Sequence, residues 1–118
     1  MNRRNMPATY KQIDAYLGSK DARTIANNTT ARRGESSDAS ATPIISVYLH
    51  GHEIATLASR WIGIRDAGWQ TVTTKDRLNR LLAPIGYSIS QKDYCWTLYS
   101  PDGSEPWDGS ASIQLQED

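Results

Sequence analysis

Ile45, Val47 and Leu49 alternate with Ser46, Tyr48 and His50, and a period of two residues belongs to a strand with one face in a core and the other toward water. The pattern returns after each turn signal, which restricts the chain to hairpins. His50-Gly51-His52-Glu53 is expected to turn into a second strand through Ile54, Thr56 and Ala58, with a third through Trp61, Ile62 and Ile64. Arg65 to Gly68 then turns into a fourth strand starting at Trp69, and the four form a meander. Two further strands, Tyr87 to Gln91 and Tyr94 to Tyr99, flank Lys92-Asp93, and Pro101-Asp102-Gly103 turns the chain toward a last strand near Ser110 to Leu115.

Helical periodicity occurs twice. Thr9 and Gln12 have capping-box spacing ahead of the stripe Tyr10, Ile13, Tyr16 and Leu17, which stops at Gly18. A second helix, starting near Lys75, places Leu78, Leu81 and Leu82 on one face and ends at Pro84 to Gly86. Ser19 to Thr24 reads as a turn, Ile25 to Arg33 as one edge strand with little burial, and residues 34–42 as a solvated, flexible loop without large apolar residues. The expected class is α+β, a mostly antiparallel sheet of meander and hairpins with two short helices packed on it.

At 118 residues the whole of 1–118 reads as a single domain. Thirteen basic and thirteen acidic residues cancel, so no overall field draws in a nucleic-acid backbone and such a partner is not expected. One cysteine, Cys95, permits no internal disulfide and points to a reducing compartment, the cytoplasm. The basic start Met1 to Pro7 has no apolar stretch after it, so neither a secretory signal nor a membrane partner is expected.

Chemistry concentrates in one segment, Gly68 to Asn79, where an aromatic, hydroxyls, cations and a carboxamide meet at a strand-to-helix corner. Thr73 and Thr74 are the expected cap, with Asp76 three residues after Thr73 approximating a capping box. A helix start offers free amides and partial positive charge to an anion such as phosphate, and Lys75 and Arg77 lie close by while Trp69 offers a stacking face. The same residues also admit a structural reading, in which Trp69 fills the core, the threonines cap and the charges face water. Arg32, beside Arg33, would meet a second phosphate if the sheet carried that pair to the helix start.

Elsewhere the residues read as structure. His50, His52 and Glu53 lack a third histidine or a cysteine to complete a metal set. Cys95, between Tyr94 and Trp96, reads as core packing with an inert thiol, and Asp102, Glu105 and Asp108 as turn residues. No catalytic dyad, metal site or cofactor site stands out, and no enzyme is expected.

The stretch Gly68-Trp69-Gln70-Thr71-Val72-Thr73-Thr74-Lys75-Asp76-Arg77-Leu78-Asn79, preceded by Asn28-Thr29 and by Leu49-His50 before a turn, resembles the viral Thoeris anti-defence sponges of the first type. The resemblance implies a phage protein in the host cytoplasm. It would bind a cyclic ADP-ribose isomer, or a cyclic oligonucleotide, and sequester the immune signal without cleaving it. By position, Trp69 would stack on a base, Asn79 would hydrogen-bond the nucleotide, and Thr74 and Arg77 would contact phosphate or ribose. The resemblance also implies a homo-oligomer with pockets near subunit contacts. This chain departs from the pattern at Ala55 to Trp61 and at Tyr94-Cys95, where a basic residue would stand. The alternative is a small phage structural or protein-interaction domain with no small-molecule ligand.

Overall fold

The computed structural model describes residues 6–34, 43–68, 70–93 and 95–115. Apart from Gly34 the expected loop 34–42 lies outside them, as do residues 1–5 of the basic start, Trp69 and Tyr94.

Helix α1 (Tyr10–Leu17) forms where its local signals put it. The Thr9 side chain accepts from the Gln12 amide, the Gln12 side chain accepts from the Thr9 amide, and Gly18 closes the helix at a φ of 58°. Ile13 and Leu17, on the expected stripe, are buried.

Two strands replace the single edge strand expected over Ile25 to Arg33. β1 (Ala22–Ala26) and β2 (Thr29–Arg33) make a hairpin about Asn27 and Asn28, and Asn28 has a φ of 56°, a left-handed conformation that asparagine tolerates. β2 is an interior strand. Its inward residues are Thr29 and Ala31, both fully buried, and such small side chains carry little of the apolar signal that marks a strand in sequence.

β3 (Ile45–Leu49), β4 (His52–Leu57) and β5 (Trp61–Arg65) continue the meander as expected. The turn between β3 and β4 is only His50 and Gly51, both with positive φ, the two-residue geometry that suits strand twist. His52 and Glu53 therefore belong to β4. An irregularity opposite Val47 and Tyr48 leaves Ile54 as an extra residue, which is how adjacent Ile54 and Ala55 are both buried.

No strand follows at Gln70 and Thr71, which lead straight into α2 (Val72–Leu82). The place beside β5 is filled by β9 (Ser110–Gln114), giving a six-stranded antiparallel sheet in the order β1-β2-β3-β4-β5-β9. A second sheet holds β6 (Ser88–Lys92), β7 (Cys95–Ser100) and β8 (Gly103–Pro106). β8 has four exposed residues and no hydrophobic period, so nothing in the sequence marked it.

The class is α+β, with antiparallel strands in two sheets and two short helices. One apolar cluster joins Ile13 and Leu17 of α1 and Leu78, Leu81 and Leu82 of α2 to the inward residues of the large sheet, and to Ile89, Trp96 and Leu98 of the small one. Trp107 carries the chain from β8 back toward β9, its ring stacked on Trp96 at 5.7 Å and its amide donating to the Trp96 carbonyl. Strand alternation turns Trp96 and Leu98 inward and Cys95 outward, so the cysteine expected in the core is exposed.

A candidate binding cleft at the start of the second helix

The α2 cap is Thr71, two residues before the expected Thr73. The Thr71 hydroxyl oxygen accepts from the Thr74 amide at 3.1 Å and shares a hydrogen bond with the Thr74 hydroxyl at 3.0 Å. Three threonines within four positions made the register ambiguous in sequence. The outcome moves the helix start from Lys75 to Val72, and among the described residues the first-turn amides of Val72 and Thr73 have no hydrogen-bond partner.

Beside this helix start lies a cleft of about 330 Å³, between the start of α2, the β5–α2 turn and the tip of the β3–β4 hairpin. Thr71, Thr73 and Thr74 form one wall, and Leu49, Ile54, His50 and His52 another, with Asp66 and Ala67 at the turn. The volume lies at the lower end of the range of small-molecule pockets. Asp66 is engaged in holding the turn: its carboxylate accepts from the Gly68 amide at 2.8 Å and the Gln70 side chain at 3.1 Å, and its own amide donates to the Gly109 carbonyl. Gly109 is confined there, because a Cβ would stand 3.1 Å from the Asp66 carboxylate and its φ is 112°.

The six residues singled out from sequence divide by place. Thr74 is in the cleft wall, almost fully buried, and Lys75 follows it in the same turn. Arg77 is tied into the fold: it donates to Thr29 Oγ1 at 2.9 Å and the Asn27 carbonyl at 3.1 Å, and pairs with Asp76. The guanidinium thus clamps the β1–β2 hairpin to α2. Asn79 is committed at both ends of its amide, accepting from the Ile89 N–H at 2.6 Å and donating to the Ile89 carbonyl at 2.9 Å. Arg32 is exposed and alternates with buried Ala31, so it faces away from the helices, in a hollow with Thr30, Tyr48 and Gly51. The sheet therefore does not bring the Arg32–Arg33 pair to the helix start. Arg33 instead pairs with Asp14 of α1 at 2.8 Å and donates to the Lys20 carbonyl at 2.7 Å. Trp69 lies outside the described residues.

The sequence reading took His50 and His52 as polar tips of a turn that lack a full metal set, whereas the fold lines the cleft with both, together with Thr71, Thr73 and Thr74 of the helix start. Among the described residues no group of three or more His, Cys, Asp or Glu is arranged to hold a metal. A usable signal was the hairpin itself, since a two-residue turn at His50-Gly51 puts both imidazoles at the end of the sheet. Among the described residues no helix is long and apolar enough to cross a membrane.

Residues 6–114 match the model of a family described as Kyanoviridae Gp96 protein. No curated protein and no solved structure matches the chain.

Proposed function

We propose, for a chain that belongs to the Kyanoviridae Gp96 family of phage proteins, a binding function: it captures a small anionic ligand of the cyclic-nucleotide class in the cleft at the start of α2 and holds it without cleavage. The observation that carries this reading is one concavity in which Thr71, Thr73 and Thr74, at the start of α2, meet His50 and His52. Amides at a helix start suit phosphate oxygens, and the apolar wall of Leu49 and Ile54 suits a base or ribose face. The resemblance of Gly68 to Asn79 to anti-defence sponges supplies the ligand class, a cyclic ADP-ribose isomer or cyclic oligonucleotide, and the setting, the host cytoplasm, with copies of the chain associating. In this reading Thr74 and Lys75 are contacts at or beside the cleft, Trp69 is the stacking residue, and Arg77 and Asn79 act by fixing α2.

Calorimetry with a cyclic ADP-ribose isomer and with a cyclic trinucleotide tests it, using the wild type and Thr73→Glu. A carboxylate in the first turn favours the helix, so this variant is expected to stay folded while losing binding by about tenfold or more, a 1.4 kcal/mol effect. Equal affinity in both proteins would remove the ligand from this cleft.

The second reading, a phage interaction or structural domain without a small ligand, is favoured by one observation. Arg77 and Asn79 already have their hydrogen-bonding groups occupied within the fold. Absence of heat with either nucleotide, from a folded protein, would favour it.

A further inference from the structure

A sheet edge exposes unpaired main-chain groups, and natural proteins block such edges with bulges, charges, proline or a covering group. Of the four sheet edges among the described residues, three are blocked. β1 is irregular between Thr24 and Ala26 and carries Arg23, whose guanidinium lies over the Tyr16 ring at 4.2 Å. β6 is covered at Ile89 by the Asn79 carboxamide, which pairs with its N–H and carbonyl as a neighbouring strand would. β8 holds Glu105 and Pro106.

Among the described residues β9 has none of these devices. Ser110, Ala111, Ser112, Ile113 and Gln114 include no charge and no proline, and they pair with β5 without a shift in register. The Asp66 amide donates to the Gly109 carbonyl and the Leu115 amide to the Arg60 carbonyl. With the antiparallel alternation, these bonds fix Ala111 and Ile113 as the residues bonded to β5 and turn the main chains of Ser110, Ser112 and Gln114 outward. The Ser110 amide is held loosely by Asp108 at 3.4 Å, and among the described residues the Ser112 and Gln114 amides form no hydrogen bond. All three side chains are exposed.

We propose that this edge is a self-association surface, on which two copies of the chain pair β9 against β9, antiparallel, about a two-fold axis at Ser112. The inference gives a place to the self-association included in the proposed function and draws nothing from the cleft. The strand is complementary to itself in that register: Ser110 faces Gln114 of the second copy, Ala111 faces Ile113, and no like charges meet. Ala111 and Ile113 lie on the inward face, opposite Ile64 and Ile62, so pairing extends that apolar surface across the axis. Two copies of a chain with zero net charge also approach without overall repulsion.

Sedimentation velocity of the full chain, up to about 1 mM since strand pairing alone gives modest affinity, compares wild type with Ser112→Pro and Ser112→Lys. The proline removes an outward N–H and leaves the β5 ladder intact. The lysine sets two ammonium groups against each other on the axis. A wild-type dimer is expected, with each variant weakened about tenfold or more, and with slowed exchange of the Ser112 and Gln114 amides only at high protein concentration. A wild type that stays monomeric, or a dimer that both folded variants leave unchanged, overturns the proposal. If the proline variant misfolds, the lysine variant decides. Because no nucleotide enters the experiment, its outcome is separate from that of the cleft.

Discussion

Replacing Asn79 by alanine tests what this carboxamide does. Its two hydrogen bonds to Ile89, at 2.6 and 2.9 Å, satisfy the outward main-chain groups of a residue that is 2% exposed. Each such bond contributes roughly 0.5–1.5 kcal/mol net, and an orphaned buried donor or acceptor costs about 1–3 kcal/mol. The truncation should therefore cost about 2–4 kcal/mol. With a urea dependence of roughly 2 kcal/mol/M, the unfolding midpoint is expected to fall by about 1–2 M. Asn79→Asp refines the test. Its charged carboxylate still accepts from the Ile89 N–H but meets the Ile89 carbonyl without a donor, whereas the protonated acid supplies one. The folded-state pKa of the new carboxyl should thus lie above its unfolded value of about 3.9. The stabilising contribution is then present below that unfolded value and is lost as pH rises through the folded one. A loss below about 0.5 kcal/mol for the alanine variant, together with lost nucleotide binding, would refute the bracket and return Asn79 to the ligand.

Arg77→Lys keeps the charge but cannot reproduce separate donors to Thr29 and Asn27; a loss of about 1–3 kcal/mol by urea unfolding is expected. Thr71→Ala removes the α2 cap and the partner of the buried Thr74 hydroxyl, with an expected cost of about 1–2 kcal/mol in the same assay. The Tyr10 phenol donates to the Pro43 carbonyl at 2.5 Å. Its pKa is raised, first by burial and then by Asp14, against an opposing effect of Arg33. Its contribution is therefore complete below pH about 10 and lost as pH rises through the folded-state value, so wild type should lose more stability than Tyr10→Phe in alkaline unfolding.

What was legible in the sequence follows the range of the interactions. The first helix has its cap, stripe and stop within ten positions, from Thr9 to Gly18, and all were readable. β3 and β5 carry large apolar residues in alternation and were also readable, whereas β2 buries only threonine and alanine. β9 showed as a strand, but its place against β5 depends on contacts across half the chain. The candidate site divides likewise. Its location at the start of α2 followed from local hydroxyls and charges, while the engagement of Arg77 by Thr29 and of Asn79 by Ile89 follows from partners supplied only by the tertiary fold. His50 and His52 were not among the residues singled out, because their place beside the cleft depends on where a hairpin tip comes to rest.

The most direct test of the central claim is to saturate the purified protein with a cyclic ADP-ribose isomer, remove unbound nucleotide, denature by heat and weigh what is released by mass spectrometry. Capture without cleavage predicts stoichiometric release of the intact cyclic compound from wild type and far less from Thr73→Glu. Release of a hydrolysed product, or no retained nucleotide at all from the folded wild type, would contradict it.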